Sequence, residues 1–195
     1  NPQAPSAQAL KPSAGPGIAP PGHVPGGGKA QSRPMFEPSP ERFRVAIGRF
    51  ATGVTIVTAR AADGVPVGLT ANSFNSVSLE PPLVLWSLAL RSRALPVFES
   101  AAHYAIHVLG VEQQALAQRF ASRQADRWAG VAWTPNADGV PLLPDCAAVF
   151  ECRSRSRYVE GDHVILVAEV LRCRHDGTAS PLLYHGGRFY TEHPL

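Results

Sequence analysis

Cysteine, methionine and long apolar runs are scarce in this 195-residue chain, and their scarcity excludes several classes of protein. The three cysteines, Cys146, Cys152 and Cys173, are an odd set without CxxC spacing or histidines at zinc-site intervals, so we predict neither a disulfide framework nor a metal site. No stretch approaches the roughly 18 to 20 apolar residues of a membrane helix, and the start lacks the pattern of a secretion signal. These absences predict a cytoplasmic protein with reduced thiols and no membrane partner.

Charge is also sparse and nearly balanced. Charged residues make up 17% of the chain, and the formal net charge is +3. The first 39 residues account for most of that charge, and the arginines of the remainder are not gathered in one run. We therefore expect no nucleic-acid partner, because binding a phosphate backbone needs a concentrated basic face.

Proline and glycine divide the chain into two parts. Residues 1–39 hold 9 of the 19 prolines and 6 of the 17 glycines, with almost no large apolar side chain. Such a segment cannot bury enough surface to offset the entropy of ordering, so we predict a flexible tail over residues 1–38. The remaining residues, 39–195, are long enough for one domain with its own core.

The predicted domain opens with a helix. Residues 39–41 combine a serine that can cap, a proline suited to the first helical position and a glutamate favoured by the helix dipole. The spacing of Phe43, Ile47 and Phe50 places three large side chains on one helical face. Gly53 is predicted to end this helix.

Most of the remaining chain has the patterns of β-strands. Strands are predicted at 54–61, 65–71, 83–90, 103–110, 147–160, 162–175 and 182–190. Turns at Asp63-Gly64 and near Gly161 should join successive strands into hairpins. A second helix is predicted at 112–122. Many short strands, few helices and no regular βα alternation favour a mainly β fold, an antiparallel barrel, over a Rossmann sheet.

Residues 68–82, with the sequence GLTANSFNSVSLEPP, form an unusually polar segment between two apolar strands. Its hydroxyl and amide side chains tend to bond to backbone or ligand, and they cost free energy when they are buried without a partner. By composition alone, the segment fits either a polar loop or a ligand-binding segment.

Five stretches of the chain, in the same order, resemble the flavin reductase family. They are FRVAIGRFATGVTIVT (43–58), VGLTANSFNSVSLEPPLVLWSL (67–88), HVLG followed by QRFAS (107–122), GDHVILVAEV (161–170) and PLLYHGGRFY (181–190). Members of this family are the small reductase partners of two-component flavin monooxygenases. The resemblance implies an FMN-binding split barrel and a homodimer. It also implies that NADH or NADPH reduces FMN or FAD, and that the reduced flavin passes to a monooxygenase.

Carried over position by position, the resemblance implies two sets of site residues. The residues of the flavin set lie in or just after the second and third predicted strands and in the second predicted helix. They are Pro66, Val67, Gly68, Leu69, Thr70, Asn72, Ser73, Ser87, Leu88, Ala89, Arg91, Ser92, Arg93, Arg119 and Phe120. Within it, residues 66–73 would lie against the isoalloxazine edge, and the arginines would face the phosphate. The nicotinamide set is Gly161, Asp162, His163, Tyr184, His185, Gly186 and Gly187.

The implied chemistry is hydride transfer from nicotinamide C4 to flavin N5. In such a reaction the cofactors supply the reactivity, while the protein supplies geometry and electrostatics. No side chain is then essential as an acid or base, and His163 and His185 are the candidates for a supporting role. Edge strands and the 112–122 helix are the expected dimer surfaces.

Several choices stay open at this point. The residues do not decide between FMN and FAD or between NADH and NADPH. A split barrel that keeps flavin as a prosthetic group for another small substrate is one alternative. A flavin- or haem-binding module without turnover is another, because one fold hosts several activities.

Overall fold

The computed structural model describes residues 35–123 and 126–193. The predicted flexible tail, residues 1–38, lies outside the described residues except for its last four positions, so the boundary between tail and domain stays a prediction. Every helix in the described ranges is too short or too polar to cross a membrane.

Three short α-helices and twelve strands form within these ranges. The helices are α1 (Pro40–Ile47), α2 (Leu95–Ser100) and α3 (Gln114–Ala121), and a 3-10 turn at Val111–Gln113 precedes the third. The strands are, in chain order, β1 (Thr52–Gly53), β2 (Thr55–Arg60), β3 (Pro66–Ala71), β4 (Asn75–Leu79), β5 (Pro82–Ala89), β6 (His103–Val108), β7 (Thr134–Pro135), β8 (Pro141–Leu142), β9 (Ala148–Glu160), β10 (His163–His175), β11 (Leu183–His185) and β12 (Arg188–Tyr190).

Seven strands form one antiparallel sheet in the order β3-β2-β6-β9-β10-β5-β4. The sheet curls until β3 approaches β5, where the hydroxyl of Ser73 joins them. This hydroxyl accepts a hydrogen bond from the Ser87 amide at 2.9 Å and donates one to the Ser87 carbonyl at 3.2 Å. Among the described strands no ladder joins β3 to β4 or β5, so the sheet curls without closing, as a split barrel does. The predicted mainly β fold class is confirmed.

A small three-stranded sheet, in the order β1-β11-β12, brings the end of the domain beside α1. Thr52 pairs with Tyr184 in this sheet. The amide of Gly186, in the turn after β11, donates a hydrogen bond to the carbonyl of Gly48 at 2.9 Å. Segments far apart in sequence therefore meet at one end of the barrel.

Two apolar clusters stabilise the fold. The first fills the barrel, where Trp86, Phe98 and Tyr104 meet edge to face with ring centroids 5.0 to 6.1 Å apart. The second lies between the sheet and α3 and contains the fully buried Phe120 and Leu109. Burying such side chains contributes about 1.5 to 3 kcal/mol each.

His107 connects β6 to two other segments inside the core. It is fully buried, and its Nδ1 lies 3.0 Å from the carbonyl of Ile56 while its Nε2 lies 3.1 Å from the amide of Leu143. Only the neutral ring that carries its proton on Nδ1 satisfies both bonds, donating to Ile56 and accepting from Leu143. Burial lowers the pKa of His107 to about 4.

The first helix is shorter than predicted. It ends at Ile47, not at Gly53, because Gly48 closes it and the chain then enters β1. Its apolar face does not join the core: Phe43 is 59% exposed, Ile47 is 55% exposed and Phe50 is 72% exposed.

Other differences from the predicted elements follow from local turns. The predicted strand 182–190 is a hairpin of two strands, because Gly186 and Gly187 both adopt positive φ, at 55° and 84°, and reverse the chain. Strand β4 lies inside the polar segment 68–82, where no strand is predicted, and α2 has no counterpart among the predicted elements. The predicted turn at Gly161 does join β9 to β10, with φ at 60°.

Candidate functional site

A cavity of about 840 Å³ opens between the end of α1, the segment after β3 and the β11–β12 turn. Asn72 and Ser73, from the predicted flavin set, line it together with Tyr184, Gly186 and Gly187, from the predicted nicotinamide set. Its volume lies in the usual range for cofactor and small-ligand sites. The structure therefore places parts of both predicted sets around one cavity.

A second cavity, of about 450 Å³, lies on the α3 side of the same residues. Asn72, Tyr184 and Gly187 border both cavities, and Thr70 and Gln118 line only the smaller one. The two cavities thus meet around Asn72, which follows directly after β3.

Asn72 is a polar side chain at this junction that is free to bind a ligand. It is exposed, and its amide makes no hydrogen bond to another residue in the described ranges. The backbone beside it is fixed, because the buried hydroxyl of Thr55 donates to the carbonyl of Ala71 at 2.7 Å. A positioned amide with two donors and an acceptor suits the carbonyl and N–H groups of a heterocycle.

Thr52 adds unused hydrogen-bonding capacity at the wall of the larger cavity. Its hydroxyl oxygen is shielded from water and has no hydrogen-bond partner among the residues that the structure describes. A buried polar atom without a partner costs free energy, so such atoms are uncommon in folded proteins. Together, Asn72 and Thr52 give the cavity a polar character that fits a ligand with hydrogen-bonding edges.

Two neighbouring polar residues are already engaged within the protein. The Thr70 hydroxyl donates to the carbonyl of Ala117 in α3 at 2.7 Å, and Ser73 bridges to Ser87. These two side chains hold β3 against α3 and β5. In this structure they therefore shape the site and are not free to bind a ligand.

Gly68 is buried against aromatic rings on the outer side of β3. A Cβ at this position would lie 2.6 Å from Phe120 Cε1 and 3.0 Å from Trp128 Cζ2. The guanidinium of Arg127 also donates to the Gly68 carbonyl at 3.3 Å. Any residue other than glycine at this position would force its neighbours to shift. The absence of a side chain at Gly68 lets α3 and the loop after it pack close to β3.

Several residues of the predicted flavin set have side chains that pack in the core. Leu88 is 5% exposed and Phe120 is fully buried, while Val67 and Leu69 are partly buried against the barrel cluster. Pro66 is half-buried at the start of β3, and Arg119 is half-buried on α3. These residues fix the strands and the helix around the cavities.

The other predicted residues gather at the far end of β5. Ala89 pairs with His163 across the β5–β10 ladder, and the amide of Leu90 donates to the carbonyl of Asp162 at 2.9 Å. His163 Nδ1 lies 2.6 Å from the Asp162 carboxylate, and this hydrogen bond lowers the pKa of Asp162, with a smaller contribution from the charge of Arg91. Exposed Arg91 and Arg93, half-buried Ser92 and the Gly161 turn complete this group.

The predicted nicotinamide set is thus divided between two places. Gly161, Asp162 and His163 lie beside the predicted phosphate contacts, whereas Tyr184, His185, Gly186 and Gly187 belong to the small sheet at α1. Ser87 is two residues along β5 from Ala89, a separation of about 7 Å for an extended strand. Ser73, which is bonded to Ser87, therefore lies between the two groups.

Sequence reasoning did not assign a role to the α1 side of the larger cavity. Arg44, Ile47, Arg49 and Phe50 all line it. All four residues lie in the stretch 43–58, one of the five stretches that resemble the flavin reductase family, so the sequence does mark this region. The apolar spacing in that stretch predicts a helix, but it does not show which part of the protein the exposed helix face approaches.

Comparison with known proteins identifies the family. The model of the flavin reductase like domain matches residues 47–193, which include the lining of the smaller cavity and all of the larger one except Arg44 and Val45. The chain belongs to the flavin reductase family. The predicted resemblance is therefore confirmed.

Individual members of the flavin reductase family are similar over most of their length. The chain is 47% identical over 167 residues to the FMN reductase (NADH) SmoA of Agrobacterium fabrum, a match that covers 85% of this chain and 88% of that protein. It is 39% identical over 150 residues to HsaB of Rhodococcus jostii, the reductase subunit of a flavin-dependent monooxygenase, covering 77% of this chain and 76% of that protein.

A solved structure of the family supports the same conclusion. The NADH:FAD oxidoreductase SgcE6 of Streptomyces globisporus, in complex with NAD and FAD fragments, matches with a TM-score of 0.78 and 34% identity. The match covers 83% of this chain and 98% of that one.

Proposed function

We propose that this protein is an NAD(P)H:flavin oxidoreductase that reduces FMN or FAD and supplies the reduced flavin to a separate monooxygenase. The observation that carries the proposal is the position of Asn72, an available amide where two cavities meet among segments of a flavin reductase fold. SmoA is named as an FMN reductase that uses NADH, and HsaB is named as the reductase subunit of a monooxygenase.

Flavin would be held mainly by the segment after β3. Asn72 would bond the polar edge of the ring system, while Thr70 and Ser73 hold the backbone beside it in place. Arg91 and Arg93, at the far end of β5, would bind the phosphate, since guanidinium groups suit bidentate contacts with it.

The nicotinamide would enter from the side of the β11–β12 turn. Tyr184 and Gly187 border both cavities, and the paired glycines leave backbone without side chains in front of the larger one. His163, with its Asp162 partner, would approach from the opposite end. When bound, the dihydronicotinamide supplies the hydride and the flavin accepts it.

The protein's contribution to this chemistry is geometric and electrostatic. Holding two reactants in contact replaces a bimolecular encounter. This positioning can lower the activation free energy by about 7 to 11 kcal/mol. The Asn72 amide would also interact favourably with negative charge that develops on a ring held beside it. No acid or base is needed for this step, so we expect single substitutions to weaken the activity and not to abolish it.

The homodimer belongs to this proposal as well. Phe43, Ile47 and Phe50 form an exposed apolar face on and after α1, and the last two also line the larger cavity. A second copy packed on this face would remove the apolar surface from water and cover the cavity in the same step. The predicted cytoplasmic location stays a prediction.

Steady-state kinetics test the proposed function. The purified protein is mixed with NADH or NADPH and an excess of FMN, FAD or riboflavin, and nicotinamide oxidation is followed. We expect many turnovers per protein molecule with at least one pair. Oxidation that stops after one equivalent of flavin would instead support a bound prosthetic group, and no oxidation despite flavin binding would support a module without turnover.

A further inference from the structure

Two arginines, one in α1 and one just after it, line the larger cavity. Arg44 in α1 and Arg49 just after it both border the cavity, and neither forms an ion pair with another residue of the described ranges. Both side chains are exposed. Glu41 lies one turn before Arg44 in α1, and its charge interacts with that arginine. Arg49 is therefore the guanidinium at this wall that is more available to an anion arriving from solvent.

Arg49 is placed by the glycine turn of the small sheet. Its Nη2 lies 3.1 Å from the position that a Cβ of Gly186 would occupy, and the Gly186 amide donates to the carbonyl of Gly48. A side chain at position 186 would therefore crowd the guanidinium. The backbone bond fixes the turn beside residue 48, and the missing Cβ leaves room for the Arg49 guanidinium over that turn, at the cavity.

This basic pair is separate from the one already assigned to the flavin phosphate. Arg91 lies near Asp162 at the end of β5, whereas the larger cavity is lined by Ser73, which is bonded to Ser87 further back along β5. The site thus has basic groups at two ends, and the segment from Asn72 to Ser73 lies between them. The single phosphate of FMN can occupy only one of these ends.

We propose that Arg49, assisted by Arg44, binds the diphosphate of the nicotinamide dinucleotide. This inference rests on the proposed function and adds the residues that recognise the hydride donor. The diphosphate is the better candidate for this end because the proposed function already assigns the flavin phosphate to Arg91 and Arg93. Arg49 lies over the Gly186–Gly187 turn, and all three residues line the same cavity. A planar guanidinium can bond two phosphate oxygens at once, which a lysine cannot do.

The test compares hydride donors with and without phosphate groups. In Arg49→Ala, kcat/KM for NADH should fall about 10- to 100-fold, the effect of losing a charge-assisted hydrogen bond. With N-benzyl-1,4-dihydronicotinamide, which has no phosphate, kcat/KM should not change. Arg49→Lys should fall between Arg49→Ala and the wild type, and Arg44→Ala should show a smaller loss. Arg155→Ala, an exposed arginine on β9, is the matched control and should behave as wild type.

A binding measurement makes the test independent of turnover. ADP-ribose, which carries the diphosphate without the nicotinamide, is titrated calorimetrically into the flavin-free protein. Its Kd should rise about 10-fold or more in Arg49→Ala and remain unchanged in Arg155→Ala. Circular dichroism and thermal melting establish that each variant is folded, and if Arg49→Ala is not, Arg49→Gln and Arg49→Lys replace it.

Three results would overturn the proposal. The first is an unchanged KM for NADH together with an unchanged Kd for ADP-ribose in the alanine variant. The second is an equal loss with both hydride donors. The third is a raised KM for FMN but not for riboflavin, which would assign Arg49 to the flavin phosphate. Failure of the proposed function is distinguishable, because the wild type would then reduce flavin with neither donor.

Discussion

Lowering the pH should destabilise this protein through His107. The ring is fully buried and, with its pKa at about 4, it is neutral in the folded protein, whereas an exposed histidine has a pKa near 6.5. Between these values the unfolded chain binds the extra proton and the folded protein does not. The contribution is therefore fully present above pH 6.5 and is lost as the pH falls toward 4.

The size of the effect follows from the two pKa values. A difference of about 2.5 units corresponds to about 3 kcal/mol when the titration is complete, and to about 2 kcal/mol between pH 7.5 and pH 5. This loss is a large fraction of the roughly 5 to 15 kcal/mol that stabilises an ordinary domain. Urea unfolding at several pH values in this range measures it directly.

His107→Gln is the matched variant, because its amide can accept the bond from Leu143 but has no protonated state. We expect it to be less stable by about 1 to 3 kcal/mol at neutral pH, since the carbonyl of Ile56 loses a donor. Its stability should change less between pH 7.5 and pH 5 than that of the wild type. If both proteins lose stability in parallel over this range, other groups are responsible and the reasoning is refuted.

Three further predictions concern the site and the surface of α1. Asn72→Ala should raise the flavin Kd about 10-fold while the melting temperature of the flavin-free protein stays unchanged, whereas Ser73→Ala should also lower that temperature because two hydrogen bonds to β5 are lost. Equal melting temperatures for these two variants would contradict the structural role of the serine. Gly68→Ala should cost about 1 to 3 kcal/mol in urea unfolding, since its Cβ has no space against the aromatic rings, and unaltered stability would show that they yield freely. If the proposed homodimer forms through the α1 face, Phe43→Ser combined with Ile47→Ser should give a monomer in sedimentation velocity where the wild type gives a dimer, and a dimer in both would place the interface elsewhere.

Sequence patterns predicted the strands well where the pattern was local. The long hairpin of β9 and β10 and its Gly161 turn agree with the prediction to within a residue or so at each end. Their apolar alternation and turn chemistry are properties of the residues themselves. The split barrel followed from the number and spacing of such strands together with the family resemblance.

The sequence could not predict features that depend on distant contacts. Asn72 and Ser73 are adjacent polar residues, yet only the serine meets a backbone partner on β5, and this becomes visible only when the barrel has formed. The early end of α1 is accompanied by a bond between Gly48 and Gly186, which are far apart in the chain. The exposure of Phe43 has the same origin, because a helical pattern does not show whether its apolar face meets the core.

The most direct measurement is a crystal structure of the protein with FMN and NAD bound. We expect the polar edge of the flavin ring to lie within hydrogen-bonding distance of the Asn72 side chain, with the nicotinamide stacked on the ring between Asn72 and the Gly186–Gly187 turn. Flavin bound at another place, with Asn72 in contact only with solvent, would contradict the proposed site.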